Sequence, residues 1–424
     1  MEVVVVGAVR TAVGKFGGAL KDYAAYDLGA IVIKGLLKKL GLKPVRDKSA
    51  DIFYPSRLSP NMIDLEKKYH DYDGQEIVID EVIMGNVLQA AQGQNPARQA
   101  AIFAGIPKET PSYTVNKVCG SGLKAIALGA SSIMTGECKI VIAGGMESMS
   151  NAPYALTRAR WGYRMFNAEL VDLMVFDGIW EKFYGYHMGV TAENIVELYG
   201  ISREEQDEYA YYSHMKAIKA IDKGLFKEEI IPVKIKVGKN ETAIFDTDEH
   251  PRRDTSIEKL SKLPPVFKKD GTITAGNACG INDGAAALLL TTPEIADEFG
   301  LKPMAKIVAW SSAALDPAYM GLAPVIAIRK VLNKSGLDLD DIDLIEINEA
   351  FAAQILAVIR ELEIDTRKLN VNGSGIALGH PIGCTGARIA TTLLHEMKRR
   401  NARYGLAALC IGGGMGIAMI FERY

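Results

Sequence analysis

The chain has 424 residues, 48% hydrophobic and 24% charged, the mix of an ordinary folded protein with a large core spread over two or three domains. Forty-nine basic residues against 51 acidic ones give a formal net charge of −2, which gives no ground for binding nucleic acid or an anionic membrane. Five cysteines, at 119, 138, 279, 384 and 410, are odd in number and lack CxxC or paired Cys/His spacing. That argues against a disulfide framework and against a metal site, and for reduced thiols in the cytoplasm.

The chain opens on a strand-like run, VVVVG at 3–7, with neither a basic leader nor about 20 uninterrupted apolar residues. A helical pattern around 26–41 follows, then a charged stretch at 43–79 that reads as a surface excursion. Strand patterns at 80–85 and 139–145 flank a helix around 94–105, and this alternation predicts an α/β fold. From about 151 to 280 the texture changes: aromatics, methionines, a charged helix at 202–221 and polar loops mark an inserted subdomain. The strand and helix grammar resumes with INDGAAALLLTT at 281–292. CKIVIAGGMES at 138–148 and LAALCIGGGMG at 406–416 echo each other, each a β-run ahead of Gly-Gly-Met. An internal duplication explains the echo; a coincidence of two glycine-rich strand ends explains it as well.

The stretch NKVCGSGLKAI at 116–126 places Cys119 between a strand, SYTV at 112–115, and a helix with Leu123, Ile126, Ala127 and Ala130 on one face. At a helix N-terminus the dipole and unpaired N–H groups favour a thiolate, so Cys119 is a candidate nucleophile. A buried structural cysteine is the alternative. Three further clusters supply partners: EINEAFAAQ at 346–354; VNGSGIALGHPIGCTGAR at 371–388, where His380 can act as base or oxyanion donor; and LCIGGGMGIA at 409–418, with Cys410 ahead of exposed backbone N–H groups.

In VCGSG, NEAF, GHP and CIGGGMG, in that order and spacing, the chain resembles the thiolase family, and the likeness spans nearly its whole length. QGQNPARQAA at 92–101, GGMESMS at 144–150, FYGYHMGVTAEN at 183–194, SREEQDEYA at 202–210 and TITAGNACGINDGAAALLL at 272–290 add to it. The resemblance implies two similar βαβαβαββ halves in a five-layer αβαβα arrangement. The first half would span 1–150 and continue at about 281–303, the second 304–424, and an inserted loop domain at 151–280 would hold coenzyme A.

The resemblance also implies roles. Cys119 would carry the acyl group, and Cys410 would move the proton at the α-carbon, leaving Cys384 for packing. His380 would activate Cys119 and, with a water held by Asn348, bind the enolate oxygen. The N–H groups of Cys119 and Gly412 would receive the acylation oxyanion, where losing one donor costs about 3–4 kcal/mol. Coenzyme A contacts carry over to Arg252, Ala275, Gly276 and His187. A guanidinium such as that of Arg252 suits phosphate or adenine, and a solvated loop arginine is the other reading. Where the family often has serine this chain has Cys279. Met188, Met320 and Phe351 match residues that narrow the acyl pocket, which favours acetyl-CoA and acetoacetyl-CoA over longer 3-ketoacyl chains. Coenzyme A is then substrate and product, with no permanently bound cofactor, and a homodimer or homotetramer is expected. A ketoacyl synthase, a non-catalytic scaffold subunit and a cysteine hydrolase are the rival readings. The first and third do not account for Cys410, and a scaffold would not need the whole set.

Overall fold

The computed structural model describes residues 1–49, 65–239 and 241–424. Its centre is a mixed sheet built from β1 (Val4–Arg10), β2 (Glu81–Gly85), β3 (Ser112–Val115), β4 (Val141–Ser148), β5 (Asn282–Thr291), β6 (Ala305–Ala314), β7 (Leu344–Ile347), β8 (Tyr404–Ile411) and β9 (Met415–Arg423), in the order β7-β8-β9-β6-β1-β5-β4-β2-β3. Gly14–Lys15 adds a short antiparallel piece to β5. The two halves of the sheet have the same pattern. β2 runs parallel to β4, which pairs antiparallel with β5, which pairs antiparallel with β1; β7, β8, β9 and β6 repeat those relations. The echoing segments are thus β4 and β8, in equivalent places, and the duplication reading is the one the topology supports. β1 and β6 join the two halves of the sheet through Val4 with Lys306 and Val5 with Ala305.

Helices complete the layers. α1 (Ala25–Lys39) and α2 (Pro96–Phe103) cover one outer face; α3 (Ser121–Thr135) lies inside; α4 (Met188–Tyr199) and α5 (Arg203–Asp222) belong to the insert; α6 (Ala323–Ser335) and α7 (Ala352–Leu362) cover the other outer face; and α8 (Thr385–Arg400) lies beside α3. Alternate side chains of each strand serve different layers, as a period of two requires. Val4, Val6 and Val9 pack toward α1, whereas Val5 and Ala8 face α3 and α8. Likewise Leu406 and Ala408 face α6 and α7, whereas Ala407 and Leu409 face the central layer. Strands buried on both faces read as continuous apolar runs, and each fully buried Leu or Ile contributes roughly 1.5–3 kcal/mol.

Local signals set the ends. Asp27 in the first turn of α1 accepts the Ala24 N–H at 3.2 Å, and Lys38 and Lys39 close its last turn, each complementing the helix dipole. Ser202 and Glu205 form a reciprocal cap on α5, with bonds of 3.1 and 2.7 Å. The insert is tied to β1 through Arg10, fully buried and bonded to Glu229 at 2.6 Å and to Asp248 at 2.7 and 2.9 Å. Removing Arg10 would strand the two buried carboxylates. Within the stretch expected to be a surface excursion, 50–64 lies outside the described residues. The flanks are held rather than loose: Leu42–Pro44 pairs in parallel with Gln75–Ile77, and the buried Tyr72 packs in the outer core.

The central layer depends on a close crossing. A Cβ on Gly122 of α3 would stand 2.6 Å from the Ala387 nitrogen, and one on Gly386 of α8 would stand 2.3 Å from the Leu123 nitrogen. The two helices therefore meet at their N-termini with backbone against backbone. Gly122→Ala is expected to cost about 1–3 kcal/mol of stability, the usual penalty of overpacking, read as a lower urea midpoint at unchanged slope. A midpoint equal to wild type would show that the crossing has room.

Candidate active site

Both helix N-termini open on the same cavity of about 310 Å³, whose lining includes Cys119, Cys279, His380, Cys410 and Gly412 together with His187, Met188, Ala275, Met320 and Phe351. Its wall is otherwise apolar, with Met149, Ile179, Val266, Phe267, Ile281 and Ile382. Segments that lie as far apart in the chain as Cys119 and Gly412 come together here because β3, β8 and the turn before α8 all end at this edge of the sheet.

Cys119 sits on a strained elbow between β3 and α3. Val118 has φ of 45°, a left-handed conformation that a β-branched residue adopts only under constraint. The constraint is visible: the Val118 N–H donates to Asn116 Oδ1 at 3.0 Å, and Ser121 Oγ donates to the Val118 carbonyl at 2.6 Å while accepting the Lys117 N–H at 2.8 Å. The backbone amides of Gly412 and of Cys119 itself lie close enough to the Cys119 sulfur to favour its charged form. Gly412 is free to point there because Gly413 and Gly414, both at positive φ, turn the chain from β8 into β9.

The thiolate expected at the helix end is not what the surroundings favour. The helix begins at Ser121 with Gly120 as its cap, one residue beyond Cys119. Burial, reinforced by the nearby Glu147 charge and only partly offset by the two N–H groups, pushes the thiol up to about 11. Desolvation outweighs the dipole, so the resting group is a neutral thiol that needs a base.

His380 has the features of one. Its backbone N–H donates to Asn282 Oδ1 at 2.9 Å, and Asn282 Nδ2 donates to the Gly14 carbonyl at 3.0 Å, which anchors the turn. The Thr385 hydroxyl gives its hydrogen to the Pro381 carbonyl at 2.9 Å, so the 2.7 Å contact between His380 Nδ1 and Thr385 Oγ1 places the ring hydrogen on Nδ1. Nε2 is left as the basic nitrogen. Burial, aided by the Arg388 charge, holds the imidazole neutral with a pKa pushed down to about 3. Asn348 Nδ2 stands 3.4 Å from His380 Nδ1, and its buried Oδ1 has no hydrogen-bond partner among the described residues. Asn348 backs the histidine rather than lining the cavity.

Cys410 ends β8, is buried, and packs with Met188, Met320, Ala350 and Phe351. Burial and the neighbouring thiols Cys119 and Cys279 push it well above the ordinary range, so it rests as a proton carrier rather than as a thiolate. Cys384 is buried in the central layer, consistent with packing. His187 caps α4 by accepting the Gly189 N–H at 3.0 Å and stacks on Phe267 with ring centres 4.5 Å apart. Phe267 in turn meets Phe351 edge-on. Of the expected coenzyme A contacts, His187 and Ala275 line the cavity. Gly276 lies behind it against Leu260, and the backbone of Arg252 is bonded to His214 at 3.2 Å outside the lining. Glu349 of NEAF is buried as an anchor for Tyr209, Ser213 and Asn370 rather than an acid facing the cavity.

The pattern described as "Thiolase, N-terminal domain" matches residues 3–49 and 73–294, and "Thiolase, C-terminal domain" matches 301–423. The chain belongs to the thiolase family. The first match skips 50–72, within the excursion at 43–79. An acetyl-CoA acetyltransferase of Syntrophomonas wolfei is 53% identical over 99% of both chains, and one of Pseudomonas aeruginosa is 52% identical over 100% of this chain and 99% of its own. Among solved structures, a Bacillus anthracis acetyl-CoA acetyltransferase superposes with a TM-score of 0.89 at 45% identity, and human mitochondrial 3-ketoacyl-CoA thiolase with 0.88 at 41% identity, each covering 100% of this chain and 99% of its own. The thiolase fold expected from the motifs is therefore the fold of this chain.

Thr385, Asn282 and Phe267 are site residues that the sequence analysis did not single out. Thr385 had a signal, since it follows His380 within the same glycine-rich motif and opens a helix; Phe267 had none beyond being aromatic. Thr385→Val keeps the shape and removes the acceptor for Nδ1. It is expected to lower kcat by about 10- to 100-fold, part of the span of a general base, with Thr385→Ser close to wild type. Equal kcat in the two variants would remove Thr385 from the site. Alkylation of Cys119 by iodoacetamide is expected to keep rising with pH through 8 and 9, because a thiol raised to about 11 is still gaining thiolate there. A plateau below pH 8 would contradict the neutral-thiol assignment.

Proposed function

We propose that the protein is an acetyl-CoA C-acetyltransferase, which condenses two acetyl-CoA to acetoacetyl-CoA and coenzyme A, and runs the reverse thiolysis through an acetyl group on Cys119. The observation that carries the reading is the meeting of Cys119, His380, Cys410 and Gly412 in the lining of one largely apolar cavity. In thiolysis, His380 Nε2 takes the Cys119 proton and the sulfur attacks the 3-keto carbon. The C–C bond breaks, and the departing acetyl-CoA enolate takes its α-proton from Cys410. The enolate oxygen is held by His380, which Asn348 backs from behind the cavity wall. Cys410 then recovers a proton from the incoming coenzyme A thiol, whose sulfur attacks acetyl-Cys119. The Cys119 and Gly412 N–H groups hold that oxyanion, and the released Cys119 thiolate regains its proton from His380. Condensation is the same path reversed.

The low polarity of the cavity suits these roles, since the thiolate and imidazolium formed by proton transfer lie side by side in a site that excludes bulk water, where their attraction is strong. Residues 151–280 hold coenzyme A between the halves 1–150 with 281–303 and 304–424. His187 and Ala275 lie along the pantetheine arm, and Gly276 and Arg252 lie farther out. The enzyme works as a homodimer or homotetramer in the cytoplasm. Met188, Met320 and Phe351 close the acyl end of the cavity, which favours the acetoacetyl chain over the longer chains of a degradative 3-ketoacyl-CoA thiolase.

Thiolysis of acetoacetyl-CoA, followed by absorbance, tests the reading. Wild type is expected to be active, Cys119→Ala to form no acetyl-enzyme, and Cys410→Ala to lose about 100- to 10,000-fold in kcat. Activity retained in either variant would sink the two-thiol mechanism. Phe351→Ala is expected to raise kcat/KM for longer 3-ketoacyl-CoA relative to acetoacetyl-CoA by about tenfold. An unchanged ratio would move the specificity away from this wall.

A further inference from the structure

Glu147 is a fully buried carboxylate on β4 that lies outside the cavity lining yet touches both sides of the site. Its Oε1 accepts Asn86 Nδ2 at 2.7 Å and the Leu88 N–H at 3.2 Å; its Oε2 accepts the Val87 N–H at 3.0 Å and the Gly383 N–H at 2.8 Å. Asn86 through Leu88 follow β2, and the Asn86 N–H donates to the carbonyl of Val115, the last residue of β3 before the Cys119 elbow. Gly383 belongs to the other half, three residues after His380. One side chain therefore bridges the segment beside the nucleophile and the turn that carries the base.

The surroundings are shaped for that bridge. The Gly383 carbonyl nests against two strand positions that lack side chains, where a Cβ on Gly85 would stand 2.7 Å from it and one on Gly145 2.2 Å. A Cβ on Gly383 would itself stand 2.6 Å from Glu147 Oε2. Val87, Leu88 and Ile382, adjacent to the bonded peptides, form one apolar cluster against which Cys119 packs. Burial raises the Glu147 carboxyl to about 7 and the Val87, Leu88 and Gly383 N–H groups oppose the shift, as expected when the donors are aimed at the anion.

We infer that Glu147 is a positioning residue, which sets the separation of Cys119 and His380 by clamping the Gly383 turn of one half to the Asn86–Leu88 segment of the other. The inference rests on the proposed roles of Cys119 and His380. Thiolysis needs the His380 nitrogen at hydrogen-bonding range of the Cys119 sulfur, and neither half alone holds both. The crossing of α3 and α8 brings the halves together, and Glu147 adds a hydrogen-bonded tie between them at the His380 turn.

Two variants separate reach from charge. Glu147→Asp keeps the anion but is one methylene too short to hold both segments. Glu147→Gln keeps the length, and Asn86 can reverse its amide to meet it. For folded Glu147→Asp, kcat for acetoacetyl-CoA thiolysis is expected to fall about 100-fold, the usual scale for a displacement of about 1 Å between reacting groups, with KM within about threefold and Cys119 acetylation slowed in proportion. Glu147→Gln is expected to lie between Glu147→Asp and wild type. A folded Glu147→Asp enzyme with wild-type kcat per acetylatable Cys119, or a loss confined to KM, overturns the inference. If neither variant folds, hydrogen exchange of the wild type decides: the Gly383 amide is expected to exchange as slowly as the β4 amides, and exchange at the rate of an open loop overturns it. Failure of the underlying reading looks different, because wild type would then be inactive or Cys119→Ala active.

Discussion

The backbone contact between α3 and α8 at Gly122 and Gly386 is the constraint from which the site follows. Each helix starts immediately after a reactive segment, α3 after the Cys119 elbow and α8 after the His380 turn. Helices that cross with side chains between them stay 8–10 Å apart. With glycine on both sides their first turns come closer, and the residues just ahead of those turns meet in one cavity. The duplicated topology makes this possible: the two equivalent halves of the sheet each place an inner helix on the shared layer, and the pseudo-equivalent N-termini face one another.

Burial then decides the chemistry. An exposed cysteine ahead of a helix would lean toward the thiolate, but here loss of water outweighs the dipole, and the same loss keeps His380 uncharged. The rest state is neutral throughout the cavity. In the proposed reaction charge appears only transiently, beside the backbone amides of Cys119 and Gly412, which favour the charged form of the sulfur. Fixed donors in an apolar wall are worth more than the same donors in water and need no rearrangement as the oxyanion forms. The strained Val118 fits this account, since its conformation persists only because Asn116 and Ser121 hold it, and it aims Cys119 across the mouth of α3.

Much of this was readable from residue order. The strand expected at 112–115 appears with those ends, and those around 3–7, 80–85, 139–145 and 281–292 appear with shifted ends, because runs buried on both faces carry an apolar signal strong enough to find but not to delimit. Cys119, His380, Cys410 and Gly412 were legible because each needs neighbours of unusual type, glycines or a following proline, that stand out in any sequence. Thr385 and Glu147 were not. A threonine at the start of a helix and a glutamate at the end of a strand are ordinary until the distances show what they bond.

What the sequence by itself determined is the set of local parts: two glycine-punctuated halves, a nucleophile elbow, a histidine turn and a second thiol before a triple-glycine turn. Patterning over two to four residues suffices for those, since strand period, helix period and the need for glycine at tight turns are local matters. Only the tertiary structure decided the protonation of Cys119, the tautomer of His380, the withdrawal of Asn348 and Glu349 behind the cavity wall, and the bridge through Glu147. Each depends on desolvation or on hydrogen-bond geometry, and for Glu147 on a partner 236 residues away, none of which leaves a mark in the local pattern of the chain.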